Sequence, residues 1–433
     1  MKKTLFAVLI ICIGLNSCTP KIGSIISVSE VARVEKILSS DEMEGRGIYS
    51  PGLEKAANFI ASEFEASGLG YFGENKSYLQ RFSMIQATPA EVSGTLDKEA
   101  LSPSNLVVNS TSATIEINSL SDIEVVKVPK DADFNQLVFP VLRGEKNALV
   151  LIDPSHSSNY ARLGRIAGRA KFPSAHSQIF VLTETLDPSS VSLKITNKIT
   201  EQELKNVVGV IPGKSLKDEY VVFGAHYDHL GIGRPDANQD SIYNGANDDA
   251  AGTTAVMMLG KYFNKIKDNE RTLIFVAFTA EESGGFGSTY FSQQLDPDKV
   301  VAMFNIEMIG TDSKWGPNSA YITGFEKSSM GEILQKNLEG SKFHFEPDPY
   351  PKQNLFYRSD NRTLAALGVP AHTISTSKME EAPNDEPNYH KASDEFETLD
   401  MENMTEVIKA IALSSQSIIS GEDTPTRVGK LDR

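Results

Sequence analysis

After Asn206 the sequence alternates continuous apolar runs with helix-forming stretches. The runs are YVVFGA at 220–225, TLIFVAF at 272–278, VVAMFNI at 300–306 and VPAHTIS at 369–375. Between and after them come a helix from about Ala250 to Phe263, a helix after Gly285, and a last helix with Met404, Val407, Ile408, Ile411 and Ile418 on one side. Strands that are apolar throughout, rather than at every second residue, are buried on both faces, and the helices between them supply the cover. The pattern predicts an α/β fold: a mixed, mostly parallel central sheet with helices on both faces. In such sheets the ligand site lies beyond the carboxyl ends of the strands.

Read to their ends, three of these strands deliver ionisable side chains to that edge. YVVFGA runs into His226 and Asp228, TLIFVAF into Glu281 and Glu282, and VVAMFNI into Glu307. A carboxylate flanked by Ile306 and Met308 is costly unless it is paired or bound to a metal. Asp248 and Asp249 precede the helix after YNGANDD, where helix capping is the simplest role and suffices for one of the two. Their place between two strands with ligand-bearing ends favours a metal role for the other. Of seven histidines, His226 and His390 are the best ligand candidates, with His229 behind them; His372 lies within an apolar run and reads as structural. Imidazoles mixed with surplus carboxylates suit zinc, and the surplus suggests two ions sharing a bridging ligand. No HExxH sequence and no G-x-S-x-G elbow is present.

The rest of the chain frames this core. Ser50, Pro51 and the run Leu53, Ala56, Ala57, Ile60 and Phe64 predict a capped amphipathic helix that Gly68 ends. Residues 92–200 change to short apolar runs broken by Ser, Pro and Asp, which predicts a β-rich insertion. The formal charge of −15 argues against nucleic acid as a partner. The start, MKKTLFAVLIICIGLNSC, has the basic, apolar and small-residue order of a signal peptide over residues 1–17, and LNSC resembles a lipobox that makes Cys18 a lipidation site. The expectation is an exported, lipid-anchored protein of a bacterial cell envelope, attached to the membrane through that anchor only. Cys12 lies within the leader, so the mature chain has no pair of cysteines for an internal disulfide.

The stretches GAHYDHLG, NGANDDAAG, FVAFTAEESGGFGS, FNIEMIG, YRSDN and YHKASDEFETLD, in this order, resemble the co-catalytic zinc exopeptidases of metallopeptidase family 28; SSDEMEGRG resembles that family's amino-terminal lead-in. The resemblance implies a zinc peptidase domain over 28–91 and 201–422, interrupted by the insertion. It implies two Zn2+ ions, one on His226 and Glu307, the other on Glu282 and His390, with Asp248 bridging. Glu281 falls on the general base, Asp228 on the residue that orients His226, and Tyr389 on an oxyanion donor. Arg358 stands where a substrate carboxylate would be met, or pairs with Asp360. Two residues depart from the family pattern: Ala251 replaces a frequent Ser, and Glu307 replaces the usual Asp. The function implied is an aminopeptidase acting on peptides, with a carboxypeptidase or dipeptidase of the same fold, or a non-catalytic peptide-binding relative, as alternatives.

Overall fold

The computed structural model describes residues 21–379 and 387–431. The expected leader and Cys18 lie outside the described residues. The chain divides into two compact units, one of Met1–Gln80 with Lys205–Arg433, the other Arg81–Leu204.

The larger unit is built on a mixed sheet. Its strands are the last part of Val191–Ile211 (β1), Leu216–His226 (β2), Arg271–Phe278 (β3), Val300–Ile306 (β4), Ser319–Ile322 (β5), His344–Pro347 (β6) and Ala371–Ser375 (β7). Their order is β6-β5-β7-β4-β2-β3-β1. At the centre β2 runs parallel to both β3 and β4, and β4 parallel to β7, whereas β1 and β5 each join antiparallel. Every residue of β3 is buried, as a strand covered on both faces requires. Phe223 of β2 stacks between Phe275 of β3 and Phe304 of β4, with ring centroids 5.4 and 4.8 Å away. This aromatic layer lies just behind the ends of the three strands at His226, Phe278 and Ile306.

The helices follow the signals in the sequence. α1 (Val28–Leu38) is capped by Ser27, α2 (Pro51–Ala66) by Ser50 with Pro51 at its first position, and α4 (Met401–Ser414) by Asp400. α3 (Ala251–Ile266) is buried along most of its length, which explains its small residues. At Gly252 an added Cβ would lie 2.1 Å from the Ile306 carbonyl oxygen, so only glycine lets the helix start this close to the end of β4.

The smaller unit begins at Arg81 and is rich in strands, among them most of Leu79–Leu96, Thr114–Ile117 and the first part of Val191–Ile211. Its four-stranded sheet has the order Leu106–Asn109, Gln178–Leu182, Ala148–Ile152, Glu124–Val128, and the last three strands are parallel. Parallel neighbours need crossovers. Two helices, Phe134–Arg143 and Ser157–Ala167, accordingly pack Val138, Tyr160 and Leu163 onto Val150 and Phe180. Within this strand-rich unit the four-stranded sheet thus forms an α/β element.

Candidate metal centre

The site begins where β2 ends. Nδ1 of His226 lies 3.0 Å from the main-chain oxygen of Asp228; a carbonyl only accepts, so Nδ1 carries a proton and Nε2 is the nitrogen turned toward the site. That Nε2 faces Asp248 Oδ1 at 3.2 Å. The Asp228 carboxylate is 3.9 Å from His226 Nδ1 and instead accepts the main-chain N–H of Glu281. The expected orienting role thus passes through the Asp228 carbonyl, while its side chain ties the end of β3 to the end of β2.

The aspartate pair divides its work. Asp249 Oδ1 accepts the N–H groups of Gly252 and Met308, both at 3.0 Å, so it caps α3 and clasps the turn after Glu307. Asp248 is left to face the imidazoles. Its position is set by Asp394, whose carboxylate accepts the N–H groups of Asn247 and Asp248, and by Asn247, whose side chain accepts from Gly310 N–H. Behind both loops lies Arg46, fully buried, donating to the main-chain oxygens of Leu38, Tyr227, Asn244 and Gly245.

Two groups of ligand atoms result, each within 4.8 Å of one another: His226, Asp248 and Glu307, and His229, Asp248 and Glu282. They share Asp248. Glu282 Oε1 is 3.0 Å from His229 Nδ1 and 3.2 Å from His390 Nε2, and His390 Nε2 is also 3.2 Å from Asp248 Oδ2. His229, ranked behind the other two histidines in the sequence, is brought to the same place as His390. The rings of His229 and His390 meet edge to face, and Tyr389 stacks on His390 with centroids 3.9 Å apart.

The electrostatics describe a cluster short of positive charge. Burial pushes the Glu307 and Asp228 carboxyls up to about 7 and raises Glu281 well above the usual carboxylate range. Burial acts the same way on Asp248 and Glu282, but the imidazoles outweigh it: His226 and His390 hold Asp248 far down, and His229 and His390 hold Glu282 at about 2. Burial opposes the charge on His390, yet Asp248 and Glu282 lift it to about 10. Glu307 Oε2, Asp248 Oδ2, Glu282 Oε1 and both ring nitrogens of His229 are buried without a hydrogen bond among the described residues. Lone pairs turned toward one another in this way fit divalent cations, which supply the missing charge and partners together. Oxygen and imidazole donors in three-residue sets suit zinc.

Tyr389, Arg358 and Glu307 line one cavity beside this cluster, so the structure brings those predicted residues together as well. Asp360 is buried with neither carboxylate oxygen hydrogen-bonded, and no Arg358–Asp360 ion pair exists among the described residues. His372 is structural: its ring nitrogens meet Thr323 O and Ser328 Oγ. Sequence reasoning did not assign Asp394 or Arg46, although both lie inside stretches quoted for the resemblance.

Fold and cluster together define a class: an α/β protein whose parallel strand ends converge on two ligand sets joined by one carboxylate. Residues 206–414 match the family model described as Peptidase family M28. Among curated relatives, it is 22% identical over 329 residues to "Aminopeptidase YwaD" of Bacillus subtilis (strain 168), covering 73% of this chain and 65% of that protein. It is 27% identical over 235 residues to a "Probable leucine aminopeptidase" of Trichophyton verrucosum (strain HKI 0517), covering 52% and 61% respectively. The chain thus spans just under two thirds of the length of these relatives. Among solved structures, the fold is shared with a zinc aminopeptidase from Bacillus subtilis (TM-score 0.54, 15% identity, 94% of this chain and 99% of that one). An aminopeptidase from Aneurinibacillus sp. strain AM-1 shares it too (TM-score 0.53, 18% identity, 95% and 98%).

Proposed function

We propose that the protein is a zinc-dependent exopeptidase, most simply an aminopeptidase that releases amino-terminal residues from peptides. The observation that carries this reading is the pair of ligand sets sharing Asp248, with Glu281 beside them on a turn held by Asp228. His226, Asp248 and Glu307 would hold one zinc ion; Asp248, Glu282 and a histidine, His390 or His229, the other. Zinc, when bound, supplies Lewis acidity, polarising a peptide carbonyl and making water a stronger acid. Glu281 then takes the proton of the attacking water and returns it to the departing amine. Burial, which keeps its affinity for protons high, suits that task. The phenol of Tyr389, stacked on His390, is the donor to the developing oxyanion. The names of the similar proteins, aminopeptidases in each case described above, support the amino-terminal choice.

A non-catalytic relative is disfavoured because every ligand position keeps a His, Asp or Glu. Export and lipid attachment at Cys18 belong to the same reading and rest on the sequence of residues 1–18; metabolic labelling with a radioactive fatty acid, lost in Cys18→Ala, tests them. The test of the catalytic reading is Glu281→Gln. General acid–base groups contribute about 10²–10⁴-fold, so turnover of aminoacyl p-nitroanilides should fall by at least about 100-fold with zinc retained. Unchanged turnover would overturn the assignment.

A further inference from the structure

The cavity beside the metal centre carries a charge that the cluster does not use. It is lined by Glu307 and Tyr389 on the side of the ligands, by Met308, Leu355 and Met379, and by the exposed Arg358. Its remaining walls bear hydroxyls, and these are engaged with one another. Tyr321 Oη meets Ser377 Oγ at 2.9 Å, Ser375 Oγ donates to Ser377 Oγ at 3.2 Å, and Thr373 Oγ1 donates to Asn361 Oδ1 at 3.1 Å. Arg358 has no hydrogen bond or ion pair from its guanidinium among the described residues, although the protein as a whole carries a formal charge of −15. It is close enough to Tyr389 for its charge to act on the phenol. The cavity is small, about 50 Å3, and open on one side.

A pocket built for leucine alone would have apolar walls throughout; these walls set hydroxyls beside Met308, Leu355 and Met379, with a guanidinium at their edge. An aliphatic side chain there would strip water from Arg358 and from the hydroxyls without replacing it. A carboxylate of two to four bonds' reach would meet the planar donors of Arg358 and leave the paired hydroxyls undisturbed. Resting on the exopeptidase reading above, we propose that this cavity takes the side chain of the substrate's amino-terminal residue and that Arg358 selects an acidic one, aspartate or glutamate.

The glutamate-to-glutamine ratio tests it, because the two side chains differ in charge and hardly in shape. With the zinc-loaded protein, kcat/KM is measured for glutamyl, aspartyl, glutaminyl and leucyl p-nitroanilides. Binding of free L-glutamate and L-glutamine is measured by calorimetry on the same preparation. A hydrogen bond to a charged group contributes about 1.5–3 kcal/mol, so glutamate should be preferred to glutamine by about 10–100-fold. Arg358→Met should bring the ratio near one, and Arg358→Lys should keep part of it. The ratio is independent of how much of a variant is folded. If glutaminyl or leucyl substrates are turned over at least as fast as glutamyl ones, and Arg358→Met leaves the ratio alone, the pocket assignment falls while the exopeptidase stands. If no peptide is turned over but glutamate binding exceeds glutamine binding only when Arg358 is present, the reverse holds. Preference for free dipeptides over p-nitroanilides that disappears in Arg358→Met, with no side-chain dependence, would mean that Arg358 reads the carboxyl terminus and would overturn the side-chain assignment.

Discussion

Arg46→Met would remove a guanidinium that holds the two ligand loops together from behind. Arg46 is fully buried and donates to four main-chain oxygens: those of Tyr227, between His226 and Asp228, those of Asn244 and Gly245, leading into Asp248, and that of Leu38 at the end of α1. Burial pulls its pKa down, and Glu35, Asp394, Asp228 and Asp248 around it favour the charged form. Methionine fills similar volume but leaves the buried oxygens of Leu38, Tyr227 and Asn244 without donors, at about 1–3 kcal/mol each, while Gly245 keeps the Ala250 N–H; this is offset by no longer burying a cation. Breaking a buried charged network by removing one partner costs about 3–5 kcal/mol, and that is the net loss expected here. Urea unfolding followed by circular dichroism, on protein stripped of metal by a chelator, reads this without the added stabilisation of bound zinc. Zinc retention against a competing chelator should weaken in parallel, because both loops lose their common anchor. A loss below about 1 kcal/mol with unchanged zinc retention would refute the claim that Arg46 positions the ligand loops.

Three further outcomes follow from the same geometry. Asp394→Ala removes the acceptor of Asn247 and Asp248 N–H; groups of this kind behind metal ligands are worth about 10–100-fold in affinity, so zinc binding measured by chelator competition should weaken by that factor. Phe223→Ala empties the aromatic layer between β3 and β4 and should cost about 3–5 kcal/mol in urea unfolding. Glu35 is fully buried, accepts a hydrogen bond from Thr254, and is pushed by burial up to about 8. An acid raised in the folded state binds its proton more tightly there than in the unfolded chain, so its contribution is complete below about pH 4.5 and is lost as pH rises toward 8. Glu35→Gln keeps the acceptor for Thr254 and removes the titration. The fall in stability between about pH 5 and 8 should therefore shrink in the variant, by an amount on the order of a few kcal/mol.

The strands that carry His226, Glu281 and Glu307 were legible because a strand buried on both faces is apolar without interruption, and the first ionisable residue after such a run marks its end. The caps at Ser50 and Asp249 were legible for the same local reason. Within the insertion two helices were not legible: Phe134–Arg143 contains Pro140 and Ser157–Ala167 is mostly polar, so neither announces a helix, and runs such as NALVLID are the same whether their neighbours are parallel or antiparallel. The approach of His229 to Glu282 was not legible because it depends on how the chain turns after β2. Asp394 and Arg46 act on backbone groups far away in sequence, and nothing local marks such long-range hydrogen bonds. Asp228 shows the limit in another form: it stands beside His226, yet the choice between its carbonyl and its carboxylate as the partner of His226 is made by the turn.

The measurement closest to the central claim is the zinc content per chain of purified protein, by inductively coupled plasma mass spectrometry, for the wild type and for Asp248→Ala. Two zinc ions per chain are expected, and removal of the shared carboxylate should lower retention at both positions together. A wild-type chain that binds no zinc, or an Asp248→Ala variant that still holds two tightly, would contradict the account.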